Sequence, residues 1–358
     1  MMTSIDIAGR TIGPGQPVFI VAEMSANARS LDEALEIVRC AKAAGADAVK
    51  TQTYTADGMT LDCDSYLFQI EWQGQRRTLY DLYQEAAMPW DWQPRVRGMA
   101  EAIGLIWFST AFDCESVDFL ESLKVPCHKI ASSELTDLPL IRYMASKGRP
   151  VILSTGMATR AEVSDGINAC NEGMRDGYLL PPCSIALLKC TSGYPAPVAE
   201  ANLRTIPVVE YQRGIPVGLS DHTLGVAVPV AAVALGACIV EKHLCLGRAR
   251  GGPDAAFSLE PHEFKAMVQA VRTAEQALGE VSYGPTESER ENLRYRRSLF
   301  AVRDIAVGAV FTAENIRSIR PSAGLHPRHY DEIIGRRAAR DIERGTPLAW
   351  ELIAKEGS

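Results

Sequence analysis

Eight short runs in the first 250 residues begin on apolar residues and finish on polar ones. They are VFIVAEMS from Val18, AVKTQTY from Ala48, LIWFSTAF from Leu105, CHKIASSE from Cys127, PVILSTGM from Pro150, IALLKCTS from Ile185, PVGLSDHT from Pro216 and CIVEKHLC from Cys238. Helix-like segments lie between them. In SLDEALEIVRCAKAAG the pattern predicts a capping box from Ser30 and Glu33, one apolar face of Leu31, Leu35, Val38 and Ala41, and a C-cap at Gly45. EFKAMVQAVRTAEQALG repeats that texture after the eighth run. Strands that are apolar nearly throughout, each followed by a connection long enough to cross over, imply a parallel sheet covered on its outside. Eight such units predict an α/β fold, a (β/α)8 TIM barrel with its site at the C-terminal ends of the strands.

Period-2 alternation places Ser220 with His222, Glu241 with His243, and Lys50 with Gln52 on common faces. If those faces look inward, the barrel mouth collects Lys, Gln, Ser, Glu and His. Regular spacing breaks between Ala56 and Gly104, where LFQIEWQGQRRTLYDLYQEAAMPWDW forms a long aromatic and charged insertion. A substrate cover and a packing subdomain are both compatible with it. After Gly279, SYGPTESERENLRYRRS reads as a linker, and beyond it VRDIAVGAVFTAENI from Val302 is echoed by ARDIERGTPLAWELI from Ala339. Two copies of a strand, a Gly turn and a short helix predict a small separate domain. The boundaries expected are a barrel over 1–281, a linker over 282–296 and a small domain over 297–358.

Composition narrows the function classes. The chain has 358 residues, 47% hydrophobic and 23% charged, with a formal net charge of -7. It carries no basic stripe, which argues against nucleic-acid and anionic-membrane partners and leaves small molecules. Nine cysteines without a Cys-x-x-Cys pair suit reduced thiols. The start of the chain lacks a signal-peptide progression and no apolar run approaches the roughly 20 residues of a bilayer span, so a cytoplasmic location is expected.

His222 and His243, ending adjacent strands, are candidate ligands for one divalent metal. Ser132, Ser133, Ser154, Thr155, Gly156 and Ser220, with Lys50 and Lys129, supply donors and charges that suit a phosphate. Ordinary strand-end hydrogen bonding accounts equally well for any one of these hydroxyls. Lys189 opens a rival reading, a Schiff-base aldolase. A non-catalytic sugar-binding barrel is a third.

Taken together, VAEMSAN, GADAVKTQTYTADGMTLD, KIASSELTDLPLI, ILSTGMAT, LLKCTSGYPAP, GLSDHTLG, EKHLCL, GGPDAAFSLEP and the tail IRSIRPSAGLHPRHY resemble the sialic acid synthase family of nonulosonate synthases. The tail is similar to the SAF, or antifreeze-like, domain, a small β-clip fold. The resemblance implies condensation of phosphoenolpyruvate with an open-chain amino sugar, giving a nine-carbon 2-keto acid and phosphate. It implies a divalent ion, Mn2+ or Mg2+, on His222 and His243. Phosphoenolpyruvate contacts are implied for Lys50, Gln52, Thr110, Lys129, Ser132, Ser154 and Ser220. Acid, base or water-positioning roles fall to Glu23, Glu134, Glu241 and Asp254. Sugar contacts fall to Asn27, Lys189, Ser192 and Tyr194, with Arg320 of the partner subunit in a domain-swapped homodimer. LLKCTSGYPAP and TLYDLYQEAAMPWDW look like the pseudaminic branch, which favours 2,4-diacetamido-2,4,6-trideoxy-L-altrose over N-acetylmannosamine, the sugar of the sialic branch, or the diacetamido-trideoxymannose of the legionaminic branch. One departure stands out. Where the family usually shows Asn-His-Asn-Gly-Ser-Leu, this chain has NARSL from Asn27, a shorter loop compatible with a reshaped sugar pocket, a shifted N-acyl preference or a mere loop variant.

Overall fold

The computed structural model describes residues 4–72, 74–176 and 184–355. It divides into two compact units, Met1–Gly279 and Glu280–Ser358. In the first, eight strands close into one all-parallel barrel in sequence order: β1 Phe19–Glu23, β2 Ala48–Thr53, β3 Ile106–Ala111, β4 His128–Ile130, β5 Val151–Ser154, β6 Ile185–Cys190, β7 Val217–Asp221 and β8 Ile239–His243. The ring is sealed where β8 pairs β1 in parallel, Ile239 opposite Phe19 and His243 opposite Glu23. The expected (β/α)8 barrel is therefore the fold. Helices α1 Leu31–Ala44, α2 Gln93–Ala102, α3 Cys114–Ser122, α4 Leu138–Ala145, α5 Arg160–Asp176, α6 Thr205–Arg213, α7 Ala227–Ala234 and α8 Pro261–Leu278 follow their strands. Among the described residues no helix is long and apolar enough to cross a membrane.

Helix α1 shows how the outer layer is fastened, and it corrects two expectations. Gly45 takes φ 93° and closes the helix through bonds to the Ala41 and Lys42 carbonyls. That left-handed cap strains any residue with a Cβ. The buried face is Ala34, Ile37, Val38, Ala41 and Ala44, with Leu31 and Leu35 only partly covered. Small residues let the helix approach the strands closely, and the leucines fill its edge. The capping box is half formed. Ser30 accepts from the Glu33 amide, but the Glu33 carboxylate accepts from the Arg29 amide instead.

The long insertion resolves into two parts. Its second half is α2, a regular barrel helix whose buried Gln93 bonds Thr51, Thr53 and the Gln52 carbonyl. Its first half, from Ala56 to Ala86, holds a turn of helix, a hairpin of Gln69–Trp72 with Gln75–Thr78, and the helix Leu79–Ala86 capped by Thr78.

In the second unit the sequence repeat becomes a structural one. Ile305 and Ile342 exchange both backbone hydrogen bonds at 2.8 Å. The Val307 amide donates to Asp341 and the Arg344 amide to Asp304, each at 2.7 Å. Gly308 binds the Ala338 carbonyl as Gly345 binds that of Ala301. Each copy thus supplies the other's missing partners around a core of Leu299, Phe311, Ile316, Ile333, Leu348 and Leu352. The expected short helix occurs only in the second copy, as Trp350–Leu352. The segment read as a linker carries Glu287–Tyr295, an exposed helical stretch boxed by Thr286 and Glu289, inside this unit.

Candidate active site

A closed parallel barrel turns every second side chain inward, and here the last inward residues of the strands are polar. They meet in a cavity of about 320 Å³. Register does the assembling. Glu23 lies opposite Lys50 on one side and His243 on the other, Gln52 opposite Thr110, Thr110 opposite Lys129, and Ser220 opposite Glu241. The buried Lys50 ammonium pairs with Glu23, donates to Thr110 Oγ1 at 2.9 Å and lies 3.5 Å from Glu241 Oε1. Burial pushes the Glu23 carboxyl up to about 7, against the pull of Lys50 and with the help of Glu241. Burial would also raise Glu241, but Lys129 and Lys50 hold it below the usual carboxylate range, with Ser220 Oγ donating at 3.1 Å. Two carboxylates on neighbouring strands, two residues of register apart, are thus pushed in opposite directions, one fit to carry a proton and one to stay ionised.

At β4 and β5 the cavity becomes a donor cradle. Lys129 Nζ lies 2.6 Å from Ser154 Oγ and 2.9 Å from the Ile130 carbonyl, and burial lowers its pKa. Ser132 and Ser192 hydroxyls are 2.8 Å apart. Gly156, at φ 44°, is what lets them close. A Cβ there would sit 2.3 Å from the Ser132 Cβ and 2.7 Å from the Ser192 hydroxyl.

The two histidines come together with ring centroids 5.2 Å apart. His222 Nδ1 lies 2.9 Å from the Thr191 carbonyl, an arrangement that protonates Nδ1 and leaves Nε2 as a free lone pair. His243 is buried with Nδ1 lacking any partner, and burial together with His222 keeps it well below the ordinary histidine pKa. The Tyr194 ring lies 4.4 Å from His222 and Phe257 lies 4.9 Å from His243. Among the described residues no cluster of three or more His, Cys, Asp or Glu forms a ready-made metal cage. Against burial, Cys190 and the Thr191 carbonyl raise the His222 pKa, and two imidazoles facing a polar cavity fit an open metal site, whose remaining positions belong to substrate and water.

Glu134 and Asp254 line the same cavity, both carboxyls raised by burial. Ser25, which has φ 46°, ties the loop after β1 to the loop after β8: its hydroxyl bonds Asp254 and its amide donates to Glu23 Oε1 at 2.7 Å. Other expected contacts lie elsewhere. Asn27 is buried and bonds the Leu244 carbonyl and Ser258 Oγ, a brace behind the wall. The Arg29 guanidinium reaches the Arg250 carbonyl, so the shortened loop fastens to the loop after β8 instead of lining the cavity. Lys189 faces outward because Cys190 beside it faces inward. Its Nζ bonds the Cys190 carbonyl and lines a different cavity, with Leu203 and Thr205, and neither a sugar contact nor a Schiff base in the barrel mouth follows. Arg320 is exposed in the second unit.

Sequence reasoning missed the inward Cys190 and the Ser25 bridge, and it left the insertion open between a substrate cover and a packing subdomain, where the structure makes it a wall of the cavity. Alternation along β6 sets Cys190 and Lys189 on opposite faces, and pairing of Cys190 with Ser220 makes Cys190 the inward one. The wall is made of Met59, Ile70, Leu79, Leu82 and Ala86, with Tyr83 at its edge. Tyr83 packs edge-on to Tyr54 at 6.1 Å, Tyr54 in turn to Phe112 at 5.2 Å, and Trp90 Nε1 donates to the Tyr54 carbonyl at 3.2 Å.

Residues 37–283 match the model of the NeuB family and residues 296–354 that of the SAF domain. The chain is 42% identical over 335 residues to the pseudaminic acid synthase of Campylobacter jejuni, covering 92% of this chain and 95% of that protein. It is 36% identical to the N,N'-diacetyllegionaminic acid synthase of Legionella pneumophila, covering 95% and 96%. The crystal structure of N-acetylneuraminic acid (sialic acid) synthetase from Leptospira borgpetersenii in complex with citrate superposes with a TM-score of 0.72 at 29% identity, over 83% of this chain and 97% of that one.

Proposed function

The chain belongs to the NeuB family of nonulosonate synthases, and from that premise we propose that it condenses phosphoenolpyruvate with 2,4-diacetamido-2,4,6-trideoxy-L-altrose to give a nine-carbon 2-keto sugar acid and phosphate. The observation that carries this reading is the single cavity that joins the Lys129 and Ser154 cradle, the Lys50, Glu23 and Glu241 cluster, and the paired histidines. The higher identity to the pseudaminic than to the legionaminic relative supports the altrose derivative.

Each part has a role the geometry suits. Lys129, Ser154, Ser132 and Thr110 supply donors for the phosphate, and Lys50 balances the substrate carboxylate or the enzyme's own acids, while Gln52 and Ser220 complete the rim. Carbon 3 of phosphoenolpyruvate bonds to the aldehyde carbon, whose oxygen takes a proton. Water adds at carbon 2, and phosphate leaves by carbon-oxygen cleavage. Glu23, held near neutrality, suits proton transfer, while Glu241 stays ionised. Glu134 and Asp254 face the same space and are suited to sugar hydroxyls or water. Tyr194 offers the sugar an aromatic face. His222 and His243 would hold a divalent ion, which we take as Mn2+ before Mg2+ because imidazole suits the less hard ion, and which when bound supplies Lewis-acid polarisation of the aldehyde. The reading includes a cytoplasmic homodimer in which Arg320 of the partner subunit completes the sugar site, supported by that side chain's exposure.

The test is phosphate release and product mass with phosphoenolpyruvate and three sugars in parallel: the altrose derivative, its manno-configured counterpart and N-acetylmannosamine, each with and without chelator. Chelator-sensitive turnover with the highest specificity constant on the altrose derivative is expected. Preference for another sugar overturns the specificity, turnover that survives chelation overturns the metal, and silence with all three overturns the synthase reading.

A further inference from the structure

The wall contributed by the insertion is chemically unlike the rest of the cavity. The strand ends bring charges, hydroxyls, an amide, imidazoles and the Cys190 thiol, whereas the insertion brings Met59, Ile70, Leu79, Leu82 and Ala86. Of these, Leu82 is buried and the others are half-buried, so they present apolar surface to the cavity while remaining partly open to water. The surface is held in place. Helix Leu79–Ala86 is capped by Thr78 and docked through Tyr83 on Tyr54, which is itself seated on Phe112 beyond β3. A half-open apolar surface on a fixed scaffold is suited to an apolar part of a ligand.

Resting on the synthase reading above, we infer that this wall is the specificity surface for the deoxy end of the sugar, taking the C6 methyl group and excluding a C6 hydroxyl. The reacting aldehyde must lie beside the histidines and the phosphate cradle, deep at the strand ends. An open-chain hexose held there by carbon 1 directs carbon 6 toward the mouth, where the insertion lies. A methyl on carbon 6 buries apolar surface against Leu79, Ile70 and Met59. A hydroxyl at the same place meets no hydrogen-bond partner among those five side chains and loses the water that solvated it. Discrimination against an added hydroxyl by an apolar surface is on the order of 10- to 100-fold in the specificity constant.

The experiment compares kcat/KM for the altrose derivative with that for its 6-hydroxyl counterpart, 2,4-diacetamido-2,4-dideoxy-L-altrose, in the wild-type enzyme and in Leu79→Thr and Ile70→Thr. Wild type should prefer the deoxy sugar by about 10-fold or more. Both variants should lower that ratio several-fold while leaving the KM for phosphoenolpyruvate unchanged. Equal specificity constants in wild type overturn the inference and leave the synthase reading standing, whether or not the variants fold. A ratio that the variants do not move, because both sugars slow alike, also overturns it. Turnover of neither sugar by wild type removes the synthase reading and this inference together.

Discussion

The two sides of the barrel mouth are built on different physical terms. The strand-end side is set by hydrogen-bonded register, which spaces Glu23, Lys50, Thr110, Lys129 and Ser154 around a closed ring and leaves their charges to satisfy one another. Among the described residues the insertion side has no ladder to the barrel, and its position depends on Tyr83, Tyr54 and Phe112 packing edge to face. One side is polar, rigid and general to the chemistry. The other is apolar, docked by a few rings and free to differ between substrates.

Substitutions at three places would break or sharpen that contrast. The largest effect belongs to the histidine pair: His222→Ala or His243→Ala should reduce kcat about 10³-fold, as loss of several kcal/mol of Lewis-acid stabilisation requires. Sugar preference measured on the residual rate should stay as in wild type. A shifted preference would mean that the two sides are not separable. Next comes Lys50→Met, which leaves Glu23 and Glu241 without their shared cation in a buried site. Removing one partner of a buried ion pair costs about 3–5 kcal/mol, readable as a lower midpoint in urea unfolding. A loss below about 1 kcal/mol would show that Glu23 escapes the cost by taking up a proton. Smallest is Tyr83→Ala, which removes one aromatic contact of about 0.5–1.5 kcal/mol and loosens the wall. KM for the sugar should rise several-fold with KM for phosphoenolpyruvate unchanged in steady-state kinetics. A parallel rise in both would place Tyr83 in the charged side as well, near Glu134.

Much of the strand-end side was legible before any coordinates. Alternation within β2, β7 and β8 puts Lys50 with Gln52, Ser220 with His222 and Glu241 with His243 on the inner face, because successive side chains in a strand point to opposite sides. The same rule along β6 puts Lys189 and Cys190 on opposite faces, and only the pairing of Cys190 with Ser220 decides that Cys190 is the inward one. Helix α1 was harder. Its hydrophobic period admits either a leucine or an alanine stripe, and only the closeness of the strands selects Ala34, Ala41 and Ala44. Asn27 could not be placed from sequence, since whether an amide faces substrate or braces Leu244 and Ser258 depends on a residue more than 200 positions away.

By itself, then, the sequence determined the eight strand and helix units, the inward polar set and the repeated second unit, because local periodicity and turn chemistry are short-range properties written into neighbouring residues. The tertiary structure alone decided that Lys50 serves two carboxylates, that Ser25 links Glu23 to Asp254, and that the insertion folds its apolar residues onto the mouth. Those outcomes depend on ring closure, which brings β8 beside β1, and on which aromatic side chains meet once it has closed. No spacing along the chain encodes either distance.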